Sequence, residues 1–378
     1  MTFPDSVPVL TDGTVTLRAH RPADAAAALE QCLDPLSQQW TTVPLGYTLE
    51  DAESFVGTRV PASWEAGHAV FAVEALADDG TPRFCGTVEL RDEGDHRAEL
   101  AYGSHPWARG RGIMTAALEL LLAWGFEERG LETVIWWADK GNWASRKLAW
   151  RLGFSLDGTV AGWLPQRGAL LDGWVGVLRR GEPRLPRHAW LTSPTIHGDR
   201  VVLRRHTQAD VERVRQGGDD PHSQHWLQHF ASPFTLADAQ HYVDRRWDLE
   251  ARGEGVAWTV ADPVTDQALS FLCIFHIRPG TDGEIGYFTH PDARGKGLTK
   301  EGFALAIRHA FVPEEDGGLG LRRLRLETTV PNAGSRALAE GAGFTQVGIE
   351  RGAAKMRDGS LADAVVYDLL REEYDASR

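Results

Sequence analysis

His105-Pro-Trp-Ala-Arg109-Gly-Arg-Gly112 is answered, 185 residues further on, by His290-Pro-Asp-Ala-Arg294-Gly-Lys-Gly297. In each case a strand-like run precedes the His-Pro pair, and a helical pattern opens after the second glycine. Glycine tolerates positive φ and lets a ligand approach the backbone closely. A helix that begins there points free N–H groups outward, and its dipole favours an anion at that end. A diphosphate is the natural guest. Taken alone, such a loop reads more readily as an ordinary tight turn. It is neither a Walker loop nor a Rossmann fingerprint, whose glycine spacings differ.

Working outward, the repetition continues. Leu17-Arg18 returns as Leu203-Arg204, Asp24 as Asp210 and Trp40 as Trp226, all at an offset of 186. Glu99-x-x-Tyr102 returns as Glu284-x-x-Tyr287 at 185. Asn142-x-x-Ser145-Arg146 returns as Asn332-x-x-Ser335-Arg336, and Gly153-Phe154 as Gly343-Phe344, both at 190. The jump in offset falls in the loop-like Val312–Gly320. Collinear matches at so long a period mean a duplicated domain, not a solenoid. The join reads as Gly181-Glu-Pro-Arg-Leu-Pro186, whose prolines make a semi-rigid linker. The expected domains are residues 1–181 and 182–378.

Within the first copy, strands are expected at Thr14–Arg18, Ala69–Glu74, Phe84–Leu90, Ala98–Tyr102, Thr133–Trp137 and Trp174–Leu178. Helices are expected at Pro22–Gln31, from Thr48 behind a capping box, at Met114–Glu128 and at Ala144–Leu152. Gly153 stops the last of these. The order β-α-α-β-β-β-α-β-α-β predicts a mixed α/β sheet in each half.

Strand, His-Pro-x-x-Arg-Gly-Arg/Lys-Gly, helix, strand, then Asn-x-x-Ser and Gly-Phe resembles the GCN5-related N-acetyltransferases (GNAT), most nearly their RimJ/RimL type. The resemblance spans about Val15–Leu178 and Val201–Leu370. It implies two tandem GNAT domains, each with an opening between two central strands for the pantetheine arm of acetyl-CoA. Backbone of Tyr102, Gly103 and Ser104, and of Tyr287, Phe288 and Thr289, would pair with pantetheine amides. Arg109, Gly110, Arg111, Gly112, Ile113, Met114 and Thr115 would form one pyrophosphate cradle. Arg294, Gly295, Lys296, Gly297, Leu298, Thr299 and Lys300 would form the other. Asn142 and Asn332 would bond the cofactor arm. Two departures from the family pattern stand out. Met114 and Thr299 occupy a position usually held by a small residue, where bulk would crowd the phosphates. Ala149 and Ala339 occupy the place of the tyrosine that protonates the leaving thiolate in many members.

Acetyl transfer to an amine needs a neutral nitrogen, a stabilised oxyanion and a protonated leaving thiol. Ser145 and Ser335 are the candidate acids; the competing reading is helix capping. Glu99 and Glu284 are candidate bases; the competing reading is a strand carboxylate in a salt bridge. His105 and His290 read as turn or core residues, and Arg18 and Arg204 as fold-holding ion pairs. Ten of the fourteen tryptophans fall in the first copy. They imply core packing, or an aromatic acceptor pocket absent from the second copy.

The chain has 378 residues, a net charge of −13 and 42% hydrophobic residues, which fits two globular domains and excludes wholesale disorder. No apolar run approaches a membrane span, and Met1–Leu10 lacks the features of a signal peptide. Cys32, Cys85 and Cys273 form neither a disulfide framework nor a metal motif, so no metal is expected and a reducing cytoplasm is. The acidic balance argues against nucleic acid and favours a small cationic amine acceptor. Alternatives are a protein N-terminus, a longer acyl-CoA, or a CoA-binding sensor or scaffold with one or both copies inactive. Monomer is the default state.

Overall fold

The computed structural model describes residues 7–376. The chain divides into two compact units after Arg187. Unit 1 runs β1 (Leu10–Thr11), β2 (Val15–Arg18), α1 (Ala25–Leu33), α2 (Pro35–Trp40), α3 (Leu49–Ser54), α4 (Val60–Glu65), β3 (Ala69–Leu76), β4 (Pro82–Asp92), β5 (Arg97–Ser104), α5 (Ile113–Glu127), β6 (Thr133–Asp139), α6 (Trp143–Arg151), β7 (Gly158–Gln166) and β8 (Ala169–Arg179). Unit 2 repeats the plan with β9 (Ile196–His197), β10 (Val202–Arg205), α7 (Val211–Asp219), α8 (Pro221–Trp226), α9 (Leu236–Arg252), β11 (Val256–Ala261), β12 (Ala268–Arg278), β13 (Asp282–Thr289), α10 (Leu298–Phe311), β14 (Arg323–Thr329), α11 (Ala333–Gly341), β15 (Thr345–Lys355), β16 (Leu361–Leu370) and α12 (Arg371–Ala376).

Each unit is one eight-stranded mixed sheet, ordered β1-β2-β3-β4-β5-β6-β8-β7 and, in mirrored listing, β15-β16-β14-β13-β12-β11-β10-β9. One face of the first sheet packs Leu17, Phe71, Leu90, Leu100 and Trp136 against Leu118, Leu121 and Leu122 of α5. The opposite face packs Ala72 and Phe84 against Ala25, Ala28 and Cys32 of α1 and Ala52 of α3. The strands therefore sit between helical layers, and their pattern is apolar on both faces over much of β3 and β11.

In unit 1 four elements go beyond the expected order: the short β1, the helices α2 and α4 and the strand β7. Asp34 caps α2 and Pro35 opens it, a strong start signal on a helix of only six residues. β7 is an edge strand broken by a bulge between Val160 and Leu164. The expected linker is also structured. Arg187 Nε donates to Gly153 O at 2.7 Å, which ties that end to unit 1. In unit 2, Leu191 N donates to Glu250 O at 2.9 Å. Arg18 and Arg204 hold the first turns of their units through Asp24 and Asp210, at 2.8 and 2.7 Å.

The pairing that positions the site is the parallel one. β5 and β6 match only over Arg97–Leu100 and Thr133–Trp136. Ala101–Ser104 stay paired to β4 on their other side, and Trp137–Asp139 to β8. The strands thus part beyond Leu100 and Trp136. β13 and β14 match over Asp282–Glu284 and Arg323–Arg325 and part beyond them.

Candidate functional site

Parted strands leave backbone N–H and C=O groups without sheet partners, and such groups demand a ligand or water. In unit 1 the wedge is edged by Ala101–Ser104 and Trp137–Asp139, at the strand ends from which α5 and α6 arise. Its mouth meets the glycine loop. Gly110 and Gly112 have φ of +73° and +77°, and Gly295 and Gly297 have +71° and +72°. Gly112 and Gly297 are the N-caps of α5 and α10, and no side chain caps either helix. The first intrahelical bonds run from Ala116 N to Gly112 O and from Glu301 N to Gly297 O. The N–H groups of Ile113, Met114 and Thr115, and of Leu298, Thr299 and Lys300, precede those bonds and have no partner within the helix. A Cβ at Gly110, Gly112 or Gly295 would meet nothing within 4 Å. Open space, left-handed glycines and orphan donors fit a diphosphate, and the wedge fits an extended amide chain.

The side chains of the loop do other work. Arg109 Nη2 lies 2.6 Å from Asp34 Oδ2, 2.9 Å from Ser37 Oγ and 3.2 Å from Ser104 O. Arg294 repeats this with Asp220 Oδ2 at 2.5 Å and Ser223 Oγ at 3.0 Å. Burial opposes the charge on Asp34 and Asp220, and the arginines overcome it, so both carboxyls sit below their ordinary range. These arginines bolt the loop to the start of α2 or α8. Arg111 pairs with Asp78 at 2.9 Å and lies over Trp107. Lys296 and Lys300 are exposed. Met114 is buried in the core cluster, so its bulk is turned away from the open side of the loop. Thr299 Oγ1 bonds Thr289 Oγ1 at 2.8 Å. Ile113 and Leu298 pack against the cores, Thr115 is half-buried, and Phe288 is buried on the other face of its sheet. Gly103 faces Gln31, whose Nε2 would lie 2.7 Å from a Cβ there.

Asn142 and Asn332 cap α6 and α11, accepting from Ser145 N at 3.1 Å and Ser335 N at 3.2 Å. Asparagine, not serine, is thus the cap, and each serine hydroxyl is released for other contacts. Ser145 Oγ lies 2.6 Å from the Tyr102 hydroxyl and 3.2 Å from Trp136 Nε1. In unit 2 Ser335 lies beside the Tyr287 phenol. Burial pushes both phenols up, partly offset by these hydrogen bonds, so both stay protonated.

On the opposite face of the sheet, Glu99 Oε1 accepts from Arg91 Nη1 at 2.9 Å. Glu284 lies 3.7 Å from His276 Nδ1. Sequence reasoning missed the carboxylates of the neighbouring strand. Asp139, half-buried at the end of β6, accepts from Gln166 Nε2 at 3.4 Å, and burial raises its pKa. Glu327 of β14 is raised by burial and then by the charges of Glu284 and Glu350. In unit 1 the matching wall carries Trp137 stacked on Trp163, with centroids 6.1 Å apart. The hairpin tips close over this face in both units. Arg167 reaches Gln38 O and, at 3.0 Å, Val43 O. Arg357 reaches Gln224 O at 3.0 Å and Phe230 O at 2.9 Å. His105 and His290 are buried N-caps of the turns before the loops. The three cysteines are buried and free, and no metal-binding cluster occurs among the described residues. No helix among them is long and apolar enough to cross a membrane.

A family model described as an acetyltransferase (GNAT) domain matches residues 14–155 and again 200–345. YdaF of Bacillus subtilis (strain 168), whose name assigns it provisionally to the ribosomal N-acetyltransferases, is 30% identical over 148 residues, 38% of this chain and 79% of its own. Among solved structures, a GNAT-family acetyltransferase from Bacillus anthracis aligns with 47% of this chain and 99% of its own, at 18% identity and a TM-score of 0.41. A ribosomal-protein-S5-alanine acetyltransferase from Vibrio fischeri covers 48% of this chain and 98% of its own, at 15% identity and a TM-score of 0.41. With the family pattern matched twice over most of its length, the chain belongs to the GNAT acetyltransferases, carries two of their domains in tandem, and is an N-acetyltransferase whose acetyl donor is acetyl-CoA.

Proposed function

We propose that the chain acetylates the nitrogen of a small cationic amine, by direct transfer in a complex of both substrates. One observation carries the cofactor side of this: in each unit, parted strands open onto an uncapped helix end with two left-handed glycines. Backbone at 102–104 and 287–289 would hold the pantetheine arm, and N–H groups at 110–115 and 295–300 the pyrophosphate. When bound, acetyl-CoA supplies the electrophilic thioester carbonyl. Glu99 and Glu284, at or beside the last parallel pair, take the ammonium proton directly or through water. Such general-base help is worth ~10²–10⁴-fold. Ser145 and Ser335 give a proton to the leaving sulfur. The carboxylates of Glu284, Glu327 and Glu350 favour a positively charged acceptor in unit 2, and the net charge of −13 favours its approach.

A second reading, a protein N-terminus as acceptor, is favoured by the name of YdaF. Thiol release from acetyl-CoA, measured with polyamines and aminoglycosides beside short N-terminal peptides, separates the two. Turnover with small amines alone supports the first reading, and turnover with peptides alone replaces it. Calorimetric binding of acetyl-CoA without turnover on any amine makes the chain a sensor.

A further inference from the structure

A serine makes a poor acid for a departing thiolate, because an alkoxide is a far stronger base than a thiolate. It can donate only if its oxygen is stabilised as the proton leaves. Ser145 Oγ has that support. Trp136 Nε1, 3.2 Å away, can only donate, so it fills one lone pair of the oxygen. The Tyr102 hydroxyl, at 2.6 Å, is placed to fill the other. Tyr102 lies beyond the last β5–β6 pair, and Ser145 lies on the helix that follows β6. Their bond therefore spans the parted strands. Either oxygen can be the donor in that contact; when the phenol donates, both lone pairs are filled and the serine's own proton is left for a third partner.

We infer that Tyr102 and Tyr287 are positioning residues that act through Ser145 and Ser335: each phenol donates to the serine oxygen and frees the serine proton for the sulfur of CoA. The inference rests on the serines being the acids. Unit 2 repeats the pair of residue types, with Ser335 beside the Tyr287 phenol. There Leu326, the neighbour of the last paired residue Arg325, stands where unit 1 has Trp136. Ser335 has no indole donor at that place, so it depends more heavily on its tyrosine. The step balances. The carbonyl carbon gains a bond to nitrogen and loses its bond to sulfur, whose electron pair takes the proton of the serine hydroxyl. The serine oxygen recovers a proton from solvent, to which the base returns the one lost by nitrogen. Each phenol keeps its own proton throughout.

The test uses the full chain carrying Tyr102→Phe and Tyr287→Phe together, so that whichever unit turns over is affected. Expected are a fall in kcat of about tenfold or more and a KM for acetyl-CoA within about twofold of the parent. Added to Ser145→Ala and Ser335→Ala, the same changes should cost nothing further. Independently of turnover, calorimetry should give the parent a preference for CoA over desulfo-CoA that the tyrosine variant loses. An unchanged kcat, a risen KM with unchanged kcat, an undiminished loss in the serine background, or a retained preference for CoA would each overturn the inference. If Tyr102→Phe and Tyr287→Phe each fail to fold as single variants, the hydroxyls are structural and the inference is likewise wrong. Full activity of the serine variant is a separate result, and it sinks the serine assignment itself.

Discussion

Asn142 caps its helix with one end of its amide. Its Oδ1 caps α6 by accepting from Ser145 N, and its amide N–H groups take no part in the cap. Aspartate caps a helix as well as asparagine does but carries no donor. Asn142→Asp and Asn332→Asp are therefore expected to change stability by less than about 0.5 kcal/mol in urea titration. The same variants should bind acetyl-CoA about tenfold more weakly by calorimetry. At Gly112, with φ of +77°, a side chain costs about 1–2 kcal/mol in backbone strain, and glutamate adds a negative charge to the anion cradle. Gly112→Glu should lose one equivalent of bound acetyl-CoA, and Gly297→Glu likewise; unchanged stoichiometry in both would refute the loop assignment. These glycines and asparagines were readable because backbone geometry dictates the residue type. The Tyr102–Ser145 contact was not, because it joins positions 43 residues apart. Asp139 was missed for a related reason: its half-burial comes from the packing around the end of β6, and no local motif announces it.

Among the elements, the edge strand β7 is the least evident in sequence, while its partner β8 was expected at Trp174–Leu178. Gly158, Gly162 and Pro165 break the alternation that marks a strand, and an edge strand tolerates such breaks. Only pairing to β8 makes β7 a strand. At the hairpin tip, Arg167 collects backbone carbonyls past the end of α2, and Arg357 does the same past α8. Cations suit the negative end of a helix and its orphan carbonyls. Arg167→Ala is expected to destabilise unit 1 by about 1–2 kcal/mol. It should raise the KM of any acceptor turned over by unit 1 several-fold while leaving acetyl-CoA affinity unchanged. An equal loss of both affinities would place the strap in the donor site instead. The helices α1, α5 and α6 and the strands β3 to β6 were legible from periodicity and caps, because their patterns answer to burial on a regular element.

For the molecule as a whole, duplication was the most legible feature, since collinear motifs need no structural inference. The course of the join was not, because docking of residues 182–193 depends on partners such as Gly153 and Glu250. The units also differ in their response to acid. Burial lowers His20 in unit 1 to about 4, and in unit 2 lowers His206 to about 3 and His309 to about 4. These histidines are neutral when folded and protonate near 6.5 when unfolded, so the unfolded chain binds more protons as pH falls from there. Stability is full above about pH 6.5 and falls towards pH 4, by up to about 1.4 kcal/mol per pH unit for each histidine. Unit 2, with two such groups, should weaken first. Ten of the fourteen tryptophans report on unit 1. At pH 5 the urea midpoint seen by circular dichroism should fall below that seen by tryptophan fluorescence, and coincident midpoints would contradict this. The uncapped first turns of α5 and α10 carry a last consequence. Two helices await their terminal partners from outside the chain, so an occupied protein is a tighter one. Its survival against a protease should then rise and fall with the acetyl-CoA supply, and the amount of enzyme in a starved cell would record how long the fuel had been short.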